Sequence, residues 1–189
     1  MRKVTGGIWY FILGVRGERG KRGQVWVETV IYTLIGLTII GLVMAAALPK
    51  INARKDEIMI EQSIEALGNI DDKIYDVQKA LGNRRVIDLD VRKGALIIDM
   101  EEDTISWELE SRFEYSEGGV PISLGRLNVT TTSEDPWKVE LKLFYAIDLR
   151  FDGNNFGTHR IDVSPTPYKF IIENDGKVDG NIVIDLRES

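Results

Sequence analysis

The hydrophobic positions of this chain fall into three regimes. From Thr29 to Leu48 there are 20 consecutive residues without a charge. At about 1.5 Å of rise per helical residue, that is the length that crosses a bilayer core of about 30 Å. A charge-free run of this length is too long for an ordinary buried helix of a water-soluble domain. Beyond Pro49 the pattern changes. Ile60, Ile64, Leu67, Ile70, Ile74, Val77 and Leu81 recur at spacings of three and four, which is one stripe of an amphipathic helix. Asp56, Glu57, Glu61, Glu65, Asp71, Asp72 and Lys73 fill its other side. Gly82-Asn83 is a credible stop. The two segments read as one helix of nearly 60 residues over 24–83, apolar all round over 24–48 and one-faced over 50–82, with a kink expected at Pro49.

From Arg84 the period becomes 2. Val86–Val91 and Ala95–Met100 flank Arg92-Lys93-Gly94, a pattern that predicts a hairpin. Ile105, Trp107 and Leu109 alternate with polar residues, and Phe113 and Tyr115 extend that strand. Val139, Leu141, Leu143, Tyr145, Ile147, Leu149 and Phe151 form the cleanest alternation and predict one long strand with its odd positions on one side. Phe144 interrupts the polar side, as a contact with a neighbour or as a position covered by the helix. Asn174-Asp175-Gly176 predicts a turn. Seven or eight strands over 84–189 predict an antiparallel β-sandwich-like head, and the chain as a whole is expected to be α+β.

Charge adds an orientation. The net charge of −6 resolves into +5 for residues 1–23 and therefore −11 for residues 24–189. A basic segment before a single span is expected to stay cytoplasmic, which puts the head outside. Lys50, Arg54 and Lys55 follow the span and oppose this bias without reversing the count. The acidic bulk is unsuited to nucleic acid, whose phosphates require basic surface. The chain has no cysteine and one histidine, His159. Disulfides, thiolate metal sites and histidine-rich metal sites are therefore excluded. His159 reads as a surface loop residue.

The stretch Lys21-Arg22-Gly23-Gln24-Val25-Trp26-Val27-Glu28 stands directly before the apolar run. An ionisable group one turn inside such a helix is costly and marks a functional position by default. Together, the basic pair, Gly23, Gln24, Glu28 and the uninterrupted span resemble the archaeal prepilins of the type IV pilin superfamily, whose signal is often named class III. The specific match covers roughly residues 21–50, and the head matches in class alone. The resemblance implies a leader, residues 1–23, removed by a membrane-embedded prepilin peptidase. Cleavage would fall between Gly23 and Gln24, with Lys21, Arg22 and Glu28 recognised. It implies that Gln24, then carrying a free amine, pairs with Glu28 of a neighbouring subunit to set assembly register. The implied partners are the membrane, the peptidase, identical or related pilin subunits, and the assembly platform with its ATPase. The implied location is a single-pass membrane precursor and then an extracellular filament. This leader is longer than the family usually shows and carries an apolar patch, Ile8–Leu13. A start at Val15 would leave a nine-residue basic leader.

Two rival readings stand beside this one. The first is a permanently membrane-anchored binding or adhesion protein that does not polymerise. The second is an ectoenzyme built on Asp88, Asp90, Asp99, Glu101, Glu102 and Asp103. These carboxylates read more simply as polar strand and turn positions. Asp152-Gly153-Asn154-Asn155 begins like a calcium loop, but Phe156 takes the next ligand position. No catalytic residue, metal or cofactor is therefore expected. Asn128-Val129-Thr130 is a sequon and makes Asn128 a candidate for N-glycosylation.

Overall fold

The computed structural model describes residues 19–132 and 135–188, with side chains in the first helix from Val25 onward. The leader patch and the alternative start lie outside the described residues. The chain divides into two compact units, Met1–Pro49 and Lys50–Ser189. One helix, α1 (Arg19–Val77), contributes to both, with Pro49 inside it. It begins five residues before Gln24, so Gly20 and Gly23 stand in helical backbone. Each costs about 1 kcal/mol relative to alanine there.

The second unit is an α+β head. Its strands are β1 (Arg84–Leu89), β2 (Ala95–Asp99), β3 (Thr104–Ser111), β4 (Ile122–Leu124), β5 (Leu127–Thr132), β6 (Trp137–Phe144), β7 (Asp148–Phe151), β8 (Thr158–Asp162), β9 (Tyr168–Val178) and β10 (Asn181–Glu188). They form a four-stranded sheet, β1-β9-β10-β7, and a six-stranded sheet, β4-β5-β6-β3-β2-β8. All pairings are antiparallel except β10 with β7. Inward residues of both sheets share one core with the α1 stripe. Ile60, Leu67, Ile70, Ile74 and Val77 pack there with Trp107, Leu141, Leu149, Phe170 and Ile184.

Several expectations change. The helix stops at Val77, not near residue 82, because β9 claims the chain beyond it. The buried Asn174 donates from Nδ2 to the Val77 carbonyl at 2.9 Å. Gly82 N–H donates to the Asn174 carbonyl at 2.9 Å, and Asn174 N–H to the Asn83 carbonyl at 3.0 Å. A helix continued through residue 82 would forfeit these bonds. Leu81 consequently leaves the stripe and is 75% exposed.

The hairpin expected across Arg92-Lys93-Gly94 does not form. β1 pairs with β9 in one sheet, and β2 pairs with β3 and β8 in the other. Residues 90–94 carry the chain between the sheets. Gly94 (φ +77°) passes so close to β3 that a Cβ would lie 2.1 Å from the Glu108 carbonyl oxygen. Trp107 ties this crossing down, donating from Nε1 to the Lys93 carbonyl at 2.9 Å.

The long strand over 139–151 is likewise two strands in different sheets, β6 and β7. All seven odd positions are nevertheless buried, because the chain changes sheets while keeping the same side toward their common core. β3 ends at Ser111, whose hydroxyl bonds both the N–H and the carbonyl of Phe113 and so turns the chain. The turn expected at Asn174-Asp175-Gly176 is instead a β-bulge. The register slips past Asp175, and Gly176 takes φ +103°. The turn comes at Asp179-Gly180, both with positive φ, as a two-residue hairpin of the right-handed sheet twist requires.

Candidate functional site

The apolar part of α1 carries the residues singled out before. Lys21, Arg22, Gly23 and Gln24 fall within the helix bounds, and the Gly23–Gln24 peptide bond is helical. Glu28 lies four residues on, one turn along the same helix. It is exposed, as is nearly every residue from Val25 to Pro49. Trp26 is 70% exposed, Leu37 62% and Leu42 67%. The window that qualifies this helix as long and apolar enough to cross a membrane is wholly unburied. An apolar surface of this extent demands a non-aqueous surrounding.

The polar groups of this segment are handled locally. Thr29 Oγ1 donates to the Val25 carbonyl at 2.9 Å, Thr33 Oγ1 to Thr29 at 2.8 Å, and Thr38 Oγ1 to Leu34 at 2.7 Å. Each threonine hydroxyl is therefore satisfied inside its own helix, as a lipid-facing surface requires. Glu28 has no such recourse, since a carboxylate cannot be silenced by a backbone carbonyl. It is the only ionisable side chain between Val25 and Pro49 apart from the Tyr32 phenol.

Asn128 lies in β5, opposite Ser123 and Lys142. Its Oδ1 accepts from the Ser123 hydroxyl at 2.9 Å. Phe144 is 54% exposed, so the helix does not cover it, and Lys142 Nζ stands 5.2 Å from its ring centroid.

Five carboxylates of the ectoenzyme reading make local bonds, and Asp88 and Asp90 border a cleft beside β1. Asp99 accepts from the N–H groups of Glu101 and Glu102, both at 3.0 Å. Glu101 accepts from Gly157 N–H, Glu102 pairs with Lys142, and Asp90 with Arg92. Asp103 (φ +51°) accepts from Leu149 N–H at 2.8 Å. Burial raises its pKa, against that bond, with Asp148 and Asp99 adding to the rise. Among the described residues no cluster of acids and histidine is placed to hold a metal ion. Asp152-Gly153 is a tight turn closed by reciprocal Phe151 and Asn154 backbone bonds of 3.0 Å. His159 is not in a loop. It sits in β8 and stacks on Phe151, centroids 3.7 Å apart and planes 13° from parallel.

This cleft of about 280 Å³ opens between α1 and the β1 end of the head, bordered by Met59, Ser63, Asp88, Leu89, Asp90 and Trp107. Its one buried hydroxyl, Ser63, already donates to the Met59 carbonyl at 2.9 Å. Asp71, Arg126 and Tyr145 meet nearer the other end of the stripe. Asp71 Oδ1 lies 3.1 Å from Arg126 Nη1, an ion pair without hydrogen-bond geometry, and the Tyr145 hydroxyl has no partner. Burial, and then the Asp71 carboxylate, push the Tyr145 pKa up.

Asp56 is a residue that periodicity does not reveal. Its carboxylate takes Lys93 Nζ on one oxygen and the Arg112 N–H, at 2.9 Å, on the other. It thereby ties the first turns of the head's helix to two loops. Burial raises its pKa, but Lys93 and the Arg112 N–H outweigh burial and hold it below the usual carboxylate range. Only its distant partners distinguish it from any other acid on the polar face.

Comparison with known proteins adds no relative. No protein family matches the chain, and no curated protein or solved structure matches it. The chain is thus defined by its own parts, a helix near the N-terminus of membrane-crossing length and composition and a β-rich α+β head.

Proposed function

We propose that this chain is a structural subunit, a major or minor pilin, of a type IV pilus-like archaeal surface filament, made first as a membrane-anchored prepilin. The observation that carries the reading is the helix surface from Val25 to Pro49. It is exposed and uncharged for 20 residues after a lone carboxylate, Glu28. In a plain anchor that carboxylate would merely sit near the headgroups, whereas in a packing helix it has a charge to pair.

The +5 segment holds the N-terminus in the cytoplasm, and the head lies outside. The prepilin peptidase, directed by Lys21, Arg22 and Glu28, hydrolyses the Gly23–Gln24 bond. Water adds to the Gly23 carbonyl carbon, and Gln24 leaves with a free amine. A helical peptide must be unwound before such attack. Gly20 and Gly23, each about 1 kcal/mol less favourable than alanine in a helix, lower that cost. The freed subunit moves sideways from lipid into the growing filament, whose core is made of these helices. There an unpaired carboxylate is expensive. The protonated Gln24 amine of a neighbour neutralises Glu28, and a slip of one subunit would leave both charges unpaired. The register is thereby fixed. The platform and its ATPase supply the extraction work.

The test is mass spectrometry of the mature N-terminus with electron microscopy of sheared surface filaments. A chain beginning at Gln24 and present in filaments is expected. A chain that keeps Gly23–Gln24 intact and stays in the membrane would instead be the permanently anchored binding protein. Glu28→Ala should leave membrane insertion unchanged and abolish incorporation into filaments. Normal incorporation of that variant refutes the pairing.

A further inference from the structure

Between the span and the core of the head lies a short surface with its own chemistry. Lys50, Ile51, Arg54, Lys55 and Ile58 are all exposed. Ile51 is 48% exposed and Ile58 44%. Residues 51, 55 and 58 lie on one side of the helix, with 50 and 54 beside them. The two acids of the same stretch turn away from water. The Asp56 side chain is 14% exposed and is held by Lys93 and the Arg112 N–H. The Glu57 side chain is 19% exposed and pairs with Arg54, which itself stays 73% exposed. Among the described residues neither Lys50 nor Lys55 makes an ion pair. Asp56 is thus consumed within the head, Glu57 is held by Arg54, and Lys50 and Lys55 are presented outward beside exposed isoleucines, with the exposed Glu61 further along the helix.

We propose that Lys50, Arg54 and Lys55, with Ile51 and Ile58, form a collar that binds anionic lipid headgroups where the span leaves the membrane. The charge fits phosphate-bearing headgroups, and the isoleucines fit the upper acyl region below them. Long cationic stems reach headgroups while their methylenes lie along apolar surface. The segment follows the span without a break in the helix, so the bilayer surface is the first partner it meets. The collar also accounts for cations on the side of the span that the charge bias places outside. They hold the precursor at a set depth by contact with lipid. The inference rests on the anchor reading of residues 25–49 and not on filament assembly.

The full chain, reconstituted in vesicles of phosphatidylcholine alone or with phosphatidylglycerol, tests it. After detergent extraction, native mass spectrometry would count retained lipids. The wild type should retain phosphatidylglycerol over phosphatidylcholine by about twenty-fivefold, given roughly fivefold for each of the two unpaired cations, Lys50 and Lys55, at an anionic surface. The triple variant Lys50→Gln, Arg54→Gln, Lys55→Gln should lose that preference while staying inserted. Lys50 and Lys55 should also be protected from an amine-reactive reagent in phosphatidylglycerol vesicles alone. A wild type that inserts but retains both lipids equally overturns the collar and leaves the anchor intact. A chain that does not insert in either vesicle overturns both. The distant variant Lys138→Gln serves as the control. If it loses the preference equally, general charge rather than the collar is responsible, and the collar is overturned.

Discussion

The leucines and isoleucines in the two parts of α1 meet opposite fates. Between Val25 and Pro49, leucine and isoleucine are exposed on every side. Beyond Lys50, Ile60, Leu67, Ile74 and Val77 are fully buried. Both hydrophobic content and the placement of charge separate them, since no residue from Thr29 to Leu48 is charged and acids and bases fill one side of the second part. A helix with charges on one side can satisfy its stripe within its own domain, and this one does so against two sheets. A helix with none must look beyond its own chain for a covering medium. Apolar composition and the segregation of charge around the helix axis together tell where each part is covered.

The sharpest way to break that contrast is with glycine. Gly94→Ala forces a Cβ to within 2.1 Å of the Glu108 carbonyl at a positive φ. It should cost about 4 kcal/mol or leave the head unfolded. Gly36→Ala, with nothing within 4 Å, should leave thermal unfolding of the head unchanged. Leucine gives the next largest difference. Leu67→Ala should lower the head's stability by about 2–5 kcal/mol in chemical denaturation, whereas Leu37→Ala should change it by less than about 0.5 kcal/mol. Asn174→Ala removes both the cap on Val77 and the acceptor for Gly176 N–H, with an expected loss of about 1–3 kcal/mol.

The smallest effects are in pH dependence, and two carboxylates should behave oppositely. Asp56 has a depressed pKa in the folded state. It stabilises the head above the unfolded carboxylate value, about 3.9, and that contribution disappears as pH falls through its lower folded value. Asp56→Asn should therefore flatten the acid limb of a stability–pH curve. Asp103 has a raised pKa, so near neutral pH its charge is a burden that protonation relieves as pH falls toward the unfolded value. Asp103→Asn keeps an acceptor for Leu149 N–H and tolerates the positive φ. It should be neutral or stabilising near pH 7, with the gain shrinking in acid.

Which side of each element faces the core was legible in the residues. The stripe from Ile60 to Val77 and the odd positions from Val139 to Phe151 were both readable as buried sets. Sheet membership was not, because period 2 reports a face and is silent about the neighbouring strand. A chain that crosses between sheets while keeping its core side inward, as at Tyr145–Ile147, leaves the alternation intact. The hairpin error at Arg92-Lys93-Gly94 has the same origin, since a glycine with positive φ serves a crossing as well as a turn. The early end of α1 was hidden because its cause, Asn174, lies nearly a hundred residues away. In the candidate site, Glu28 stood out by its isolation. Asp56 did not, because its partners Lys93 and Arg112 are distant along the chain.

The three threonine hydroxyls of the apolar segment, each bonded to its own helix, have a consequence for traffic. A surface whose polar atoms ask nothing of their surroundings can trade one greasy environment for another without breaking a single hydrogen bond. Between Val25 and Pro49 only Glu28, the Tyr32 phenol and the Trp26 indole N–H register the difference between hydrocarbon and protein. Departure and return along such a surface are then nearly symmetrical events, and their direction is left to whatever those few groups find on arrival.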